Sequence, residues 1–159
     1  RVDTTFLPDD MYGKSKGILN GLSGLYGDLL TPLRGEKLRK SKKVFDSSKV
    51  TDHHAIIPTG VQPRALTDVQ RRFYDLIARR FIAVFYPDCR FATTTVDGEA
   101  ADVPFRATVK VILDEGWRAV FRRDATKDDN TPQRADEERT LPDFTKGESG
   151  PHTPTLTAK

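Results

Sequence analysis

The two adjacent histidines are the residues of this chain whose types and spacing best suit chemistry. His53 and His54 are two of its three histidines; Asp52 precedes them, and an apolar run ending in Pro58-Thr59 follows. Neighbouring side chains point to opposite faces of a strand and lie about 100° apart on a helix, so the two imidazoles cannot do the same work. A protonated imidazole can donate hydrogen bonds to a phosphate. The segment therefore predicts one histidine that faces a ligand and one that supports it.

Structural roles remain open for the same residues. His53 could cap a turn, which is the commoner role of a histidine taken alone. Asp52 could orient His53 through its second ring nitrogen, although adjacent placement makes that geometry difficult. Thr59 could donate its hydroxyl to a phosphate or cap a turn.

Composition predicts a globular, soluble chain of one domain or two small ones. Of its 159 residues, 36% are hydrophobic and 31% are charged. There is no apolar run long enough to cross a bilayer and no signal segment. The single cysteine, Cys89, cannot form an internal disulfide, which fits a reducing compartment. A first residue that is Arg1 rather than Met leads us to expect an excised piece of a longer protein or a processed chain.

Charge is distributed unevenly along the chain, although the net charge is only +3. Basic residues cluster just before the histidines, at Arg34, Lys37, Arg39, Lys40, Lys42, Lys43 and Lys49. Such a cluster beside a phosphate site attracts nucleic acid. Taken alone, the cluster is slightly more typical of a solvated lysine loop, but its place beside His53 and Arg1 favours nucleic acid.

Two helices are predicted in the first half. Residues 7–10, with a proline and two acids, indicate the start of a helix that buries Met11, Ile18 and Leu19. Three glycines are expected to interrupt this helix, at Gly21, Gly24 and Gly27.

The second helix has a clearer start. Thr67 and Gln70 form a capping-box pattern, and the helix should run to about residue 85 before Pro87 ends it. Its apolar stripe is expected to lie in the core, with Phe73, Ile77, Phe81 and Val84.

The second half is predicted to be rich in strands. Strands are expected at 91–96 and 105–113, with a turn at Asp97-Gly98 between them and a resumed strand at 117–121. A charged loop at 122–139 and a last strand near 153–157 complete the prediction. The fold class is therefore α+β, with a helical subdomain at 1–89 and a β-rich subdomain at 90–159.

Four segments, in order, resemble type IA DNA topoisomerases in the topoisomerase III form. Residues 50–59, Val-Thr-Asp-His-His-Ala-Ile-Ile-Pro-Thr, resemble the family's His-Ala-Ile-Ile-Pro-Thr segment. Residues 1–8, Arg-Val-Asp-Thr-Thr-Phe-Leu-Pro, resemble the segment after the active-site tyrosine, Tyr-Pro-Arg-Thr-Asp-Ser. Residues 73–81 resemble the helix after the histidine motif, and 115–118 resemble the Gly-Trp turn.

The resemblance implies an enzyme that cleaves, passes and reseals single DNA strands through a phosphotyrosine link without ATP. It implies that Arg1 and His53 are catalytic. It also implies DNA contacts by Arg1, Asp3, His53, His54 and Thr59, with His54 in a supporting role. Residues 1–89 would continue the tyrosine-bearing domain, and 90–159 would form part of the β-rich gate.

The tyrosine and the metal site are expected to lie outside this chain. None of Tyr12, Tyr26, Tyr74 and Tyr86 is followed by Pro-Arg, so no nucleophile is assigned and the piece alone is expected to be inactive. The resemblance implies Mg²⁺ on an acidic Toprim domain elsewhere and no metal site here. It further implies single-stranded DNA as substrate, a RecQ-type helicase as partner, and the cytoplasm of a bacterium, at the nucleoid.

Two alternatives belong to other classes of protein. Asp52-His53-His54 also spells the signature of metal-dependent DHH phosphoesterases, but their further aspartates and Gly-rich histidine segment are missing. A single-stranded nucleic-acid binding module would combine a basic groove with exposed aromatics. Most aromatics here fall in core patterns, which argues against such a module.

Overall fold

The computed structural model describes residues 2–100, 102–122, 145–147 and 149–150. The predicted last strand, and the predicted loop beyond Arg122, lie outside the described residues. Four main elements occur: α1 (Met11–Leu30), α2 (Asp68–Ala83), β1 (Arg90–Ala100) and β2 (Val103–Asp114). Three short 3₁₀ helices span Thr31–Leu33, Ser47–Lys49 and Gly116–Phe121. The predicted α+β class is confirmed, and no described helix is long and apolar enough to span a membrane.

The chain divides into two compact units. The described part of the first comprises residues 2–89 and 115–122, and the second contains the β1–β2 hairpin. The core of the first unit is built around Phe45, whose side chain is 1% exposed. Its ring packs edge-on against Tyr12, with centroids 5.4 Å apart, and lies 6.2 Å from Phe85. Both helices contribute fully buried residues to this core, including Leu22 and Ile82.

Helix α1 continues through Gly21 and Gly24, where an interruption was expected, so the prediction is wrong at these two positions. A methyl group at Gly21 would lie 1.9 Å from the carbonyl oxygen of Gly60, and one at Gly24 would lie 2.0 Å from the side chain of Gln62. Gly60 has φ +84° and lies against the backbone of Ile18. Because glycine has no side chain, the loop can lie directly on the helix. The predicted break is confined to Tyr26, where φ is −128°.

Helix α2 begins as predicted. The Thr67 side chain accepts a hydrogen bond from the Gln70 amide at 3.3 Å, and the Gln70 side chain accepts one from the Thr67 amide at 2.9 Å. The stripe is only partly in the core: Phe81 is 4% exposed, but Phe73 is 61% exposed, so its predicted core position is wrong. The buried residues of α2 all lie in its second half, at Ala78, Phe81, Ile82 and Ala83.

The β1–β2 hairpin is antiparallel and longer than predicted. Asp97 and Gly98 lie inside β1, so the predicted turn there is wrong. The chain reverses between Ala100 and Val103, where Asp102 has φ +63°. Gly98 pairs with Phe105 across the hairpin, and a methyl group at Gly98 would lie 2.3 Å from the Phe105 ring. The glycine thus makes room for an aromatic ring instead of forming a turn.

Residues 116–121 form a 3₁₀ helix and not the predicted strand. Gly116 has φ +50°, and a methyl group there would lie 2.5 Å from the Pro87 carbonyl oxygen. The Trp117 amide donates to the same oxygen at 2.9 Å. The Arg79 guanidinium donates to the Val120 carbonyl at 2.7 Å and holds the segment against α2. The Gly116-Trp117 pair therefore lies where the backbone passes close to Pro87, just after the end of α2.

We predict that Gly21→Ala destabilises the protein by about 1–3 kcal/mol, because the added methyl group overpacks the contact with Gly60. Gly17→Ala is the matched control, since nothing lies within 4 Å of a methyl group at Gly17 on the same helix. It should stabilise the protein by about 0.5–1 kcal/mol through helix propensity. Urea unfolding measures both; equal effects would contradict the close contact.

Candidate nucleic-acid interface

An extended amino-terminal segment organises the site. Leu7 pairs in parallel with Phe45: its amide donates to the Val44 carbonyl at 2.8 Å, and its carbonyl accepts from the Asp46 amide at 2.9 Å. The Ala55 amide donates to the Phe6 carbonyl at 2.9 Å. The chain's first residues are thus fixed beside the histidine segment.

This arrangement brings together Asp3 and His53, which are 50 residues apart in sequence. The Nδ1 atom of His53 lies 2.9 Å from a carboxylate oxygen of Asp3. The His53 side chain is 62% exposed and that of Asp3 is 33% exposed. The carboxylate requires a proton on Nδ1, so a protonated ring can keep this bond while Nε2 donates to a phosphate. When the ring is protonated on both nitrogens, the site thus presents one oriented hydrogen-bond donor at the surface.

The other residues of the histidine segment have different environments. His54 donates from Nδ1 to the carbonyl of Ala55 at 2.6 Å. The hydroxyl of Thr59 accepts a hydrogen bond from the Val61 amide at 3.3 Å, as in a turn cap. The orienting carboxylate of His53 is that of Asp3, not that of Asp52, its neighbour in sequence. Arg1 lies outside the described residues.

Part of the basic cluster is structural. Arg39 pairs with Asp88 at 2.6 Å, and Lys40 pairs with Asp9 at 2.7 Å. Lys40 and the neighbouring Ser47 hold the pKa of Asp9 below its ordinary value, and Arg39 does the same for the pKa of Asp88. These pairs fasten the basic loop to the fold. Other members of the cluster are exposed, at Arg34, Lys37, Lys42 and Lys43.

The tyrosines are poorly placed for nucleophilic attack. The hydroxyls of Tyr12 and Tyr86 each donate to a main-chain carbonyl at 2.5 Å. Burial, with the nearby Asp75 carboxylate, raises the pKa of Tyr26 well above its ordinary value. Burial also raises the pKa of Tyr74 and Tyr86. An attacking phenol needs a nearby base or a lowered pKa, and raised pKa values act in the opposite direction.

Metal ligands do not converge in the part of the chain that the structure describes. No group of three or more histidine, cysteine, aspartate or glutamate side chains there could hold an ion. No step of the chemistry is therefore assigned to a metal on the described residues.

Comparison with known proteins decides the family. Residues 1–158 match the family model described as DNA topoisomerase. The chain belongs to the DNA topoisomerase family. It is 35% identical over 153 residues to DNA topoisomerase 3 of Bacillus subtilis (strain 168), an alignment that covers 94% of this chain and 20% of that protein. It is 34% identical over 152 residues to DNA topoisomerase 3 of Bacillus licheniformis (strain ATCC 14580), covering 94% of this chain and 20% of that protein.

The resemblance to topoisomerase III found in the four sequence segments is thereby confirmed. The chain spans about one fifth of the length of the curated topoisomerases that it matches. The one feature of this topoisomerase site that the sequence did not predict is the hydrogen bond between Asp3 and His53. Asp3 and His53 belong to two separate segments of the resemblance, residues 1–8 and 50–59, and nothing in their spacing shows that their side chains meet.

We predict that Asp3→Asn changes the preferred tautomer of the His53 ring, because it removes the carboxylate that requires a proton on Nδ1. Two-dimensional ¹H–¹⁵N NMR of the imidazole should show a predominantly Nδ1–H neutral tautomer in the unsubstituted chain and a loss of that preference in the variant. Asp52→Asn is the control and should leave the His53 signals in place. A larger effect from Asp52→Asn would contradict the assigned pair.

Proposed function

We propose that this chain supplies part of the DNA-contacting site of a type IA topoisomerase that cleaves one DNA strand, passes another through the break and reseals it. The observation that supports this most strongly is the Asp3–His53 pair, exposed at the surface of a chain from the topoisomerase family. Its single-stranded DNA substrate carries one phosphate per nucleotide, and an oriented imidazole donor suits a phosphate oxygen.

In the proposed reaction, a tyrosine outside this chain attacks a backbone phosphorus. The tyrosyl oxygen forms a new P–O bond and loses its proton, while the bond from phosphorus to the strand end that leaves is broken. The displaced oxygen takes up a proton and leaves as a hydroxyl. His53 donates from Nε2 to a non-bridging oxygen of that phosphate while Asp3 holds Nδ1. Arg1 is proposed, from the family resemblance, to stabilise the extra negative charge of the pentacovalent state. One phosphodiester replaces another, so resealing needs no ATP.

The remaining elements of the proposal concern the longer enzyme. We propose that Mg²⁺ is held by acidic residues outside these 159 positions, that the β1–β2 hairpin belongs to the gate, and that His54 and Thr59 support the DNA-facing segment. A RecQ-type helicase as partner, and the bacterial nucleoid as location, follow from the resemblance alone.

We predict that His53→Ala slows DNA cleavage by the longer enzyme about 10- to 100-fold, because a hydrogen bond to a charged group contributes about 1.5–3 kcal/mol. His54→Ala is the matched control and should slow cleavage by less than about threefold, since its ring donates to a main-chain carbonyl of its own segment. Single-turnover cleavage of a labelled oligonucleotide measures both rates. Equal losses would contradict the division of roles.

We predict that the 159-residue chain alone forms no covalent adduct with single-stranded DNA. Its described tyrosine hydroxyls are hydrogen-bonded to carbonyls or have raised pKa values. Denaturing gel electrophoresis after incubation with end-labelled oligonucleotide and Mg²⁺ checks this. A labelled adduct that a single Tyr→Phe substitution abolishes would show that the nucleophile lies within the chain and would refute this part of the proposal.

A further inference from the structure

The first unit contains an open groove beside the histidine segment. Its volume is about 780 Å³, and most of its lining is apolar. One wall comes from the amino-terminal segment with Val2 and Thr4, another from Ile56 and Ile57, and a third from α2. Lys43 and Arg80 also line the groove, and no carboxylate does so among its described lining residues.

Several apolar side chains that line this groove are much more exposed than side chains of a hydrophobic core. Ile56 is 59% exposed, Leu76 is 57% exposed and Val2 is 40% exposed. No side chain of α2 before Ala78 is fully buried. Leu76 lines the groove, and Phe73 and Val69 are exposed to solvent. Contiguous exposed apolar surface of this kind marks a binding face.

The position of the groove limits what can fill it. Val2 lies in its wall, next in sequence to Asp3 of the candidate site. The topoisomerase relatives are longer, since this chain covers about one fifth of them. An amphipathic helix fits an apolar groove beside another helix, and the two cations favour acidic residues along its edges.

We propose that this groove seats an amphipathic helix from a part of the longer topoisomerase outside this chain, with acidic side chains toward Lys43 and Arg80. The proposal rests on family membership and not on the catalytic roles proposed above. Val2 and Thr4 flank Asp3, so the docked helix also fixes the segment that carries the partner of His53.

Thiol labelling compares the 159-residue chain with the full-length gene product, both in a Cys89→Ser background and without DNA. The Leu76→Cys variant should react with a maleimide at least about tenfold more slowly in the full-length protein, because a covered thiol is protected. The Arg71→Cys variant is the matched control, because residue 71 lies about 140° from residue 76 around the same helix. Its rate should change by less than about twofold.

Three results would overturn the proposal. One is equal labelling of the Leu76→Cys variant in the two polypeptides. Another is protection in the 159-residue chain that increases with its concentration, which would indicate a second copy as the occupant. The third is protection that appears only when a single-stranded oligonucleotide is added, which would assign the groove to DNA. None of these readouts depends on DNA cleavage. The groove proposal can therefore fail while the proposed function stands, and the proposed function can fail while the groove proposal stands.

Discussion

Three main-chain hydrogen bonds at Phe6 and Leu7 are the constraint on which the site depends. They join the amino-terminal segment to Val44 and Asp46 on one side and to Ala55 on the other. Leu7 is 2% exposed and belongs to the core, so burial of its side chain and pairing of its backbone act together. A carboxylate and an imidazole 50 residues apart can then share one hydrogen bond without either lying on a helix or a long strand.

The other end of the histidine segment is fixed by a different contact. After the buried Pro58, Gly60 crosses helix α1 so closely that a methyl group at Gly21 would meet its carbonyl oxygen. The segment is therefore held at Ala55 by a backbone bond and at Gly60 by backbone contact with a helix. His53 and His54 come just before the first of these anchors and stay exposed, which is what contact with a large, charged ligand requires.

Features set by neighbouring residues could be predicted from sequence. The Thr67–Gln70 capping box is local chemistry, and it appears as expected. Features set by distant partners could not. Gly21 looked like a helix breaker because its partner, Gly60, is 39 residues away in the chain, and Gly98 looked like a turn because its partner, Phe105, lies on the opposite strand. The motif residues of the candidate site were named from sequence, but the pairing of Asp3 with His53 needed the fold.

The central claim is that backbone pairing holds the amino-terminal segment against the histidine segment and so assembles the site. Amide hydrogen exchange of Ala55, measured by NMR, tests this most directly. The account predicts that its amide exchanges at least about a hundredfold more slowly than in an unstructured chain, as hydrogen-bonded amides of a folded core do. Exchange of the Ala55 amide at the unstructured rate, while the amides of α2 remain protected, would contradict it.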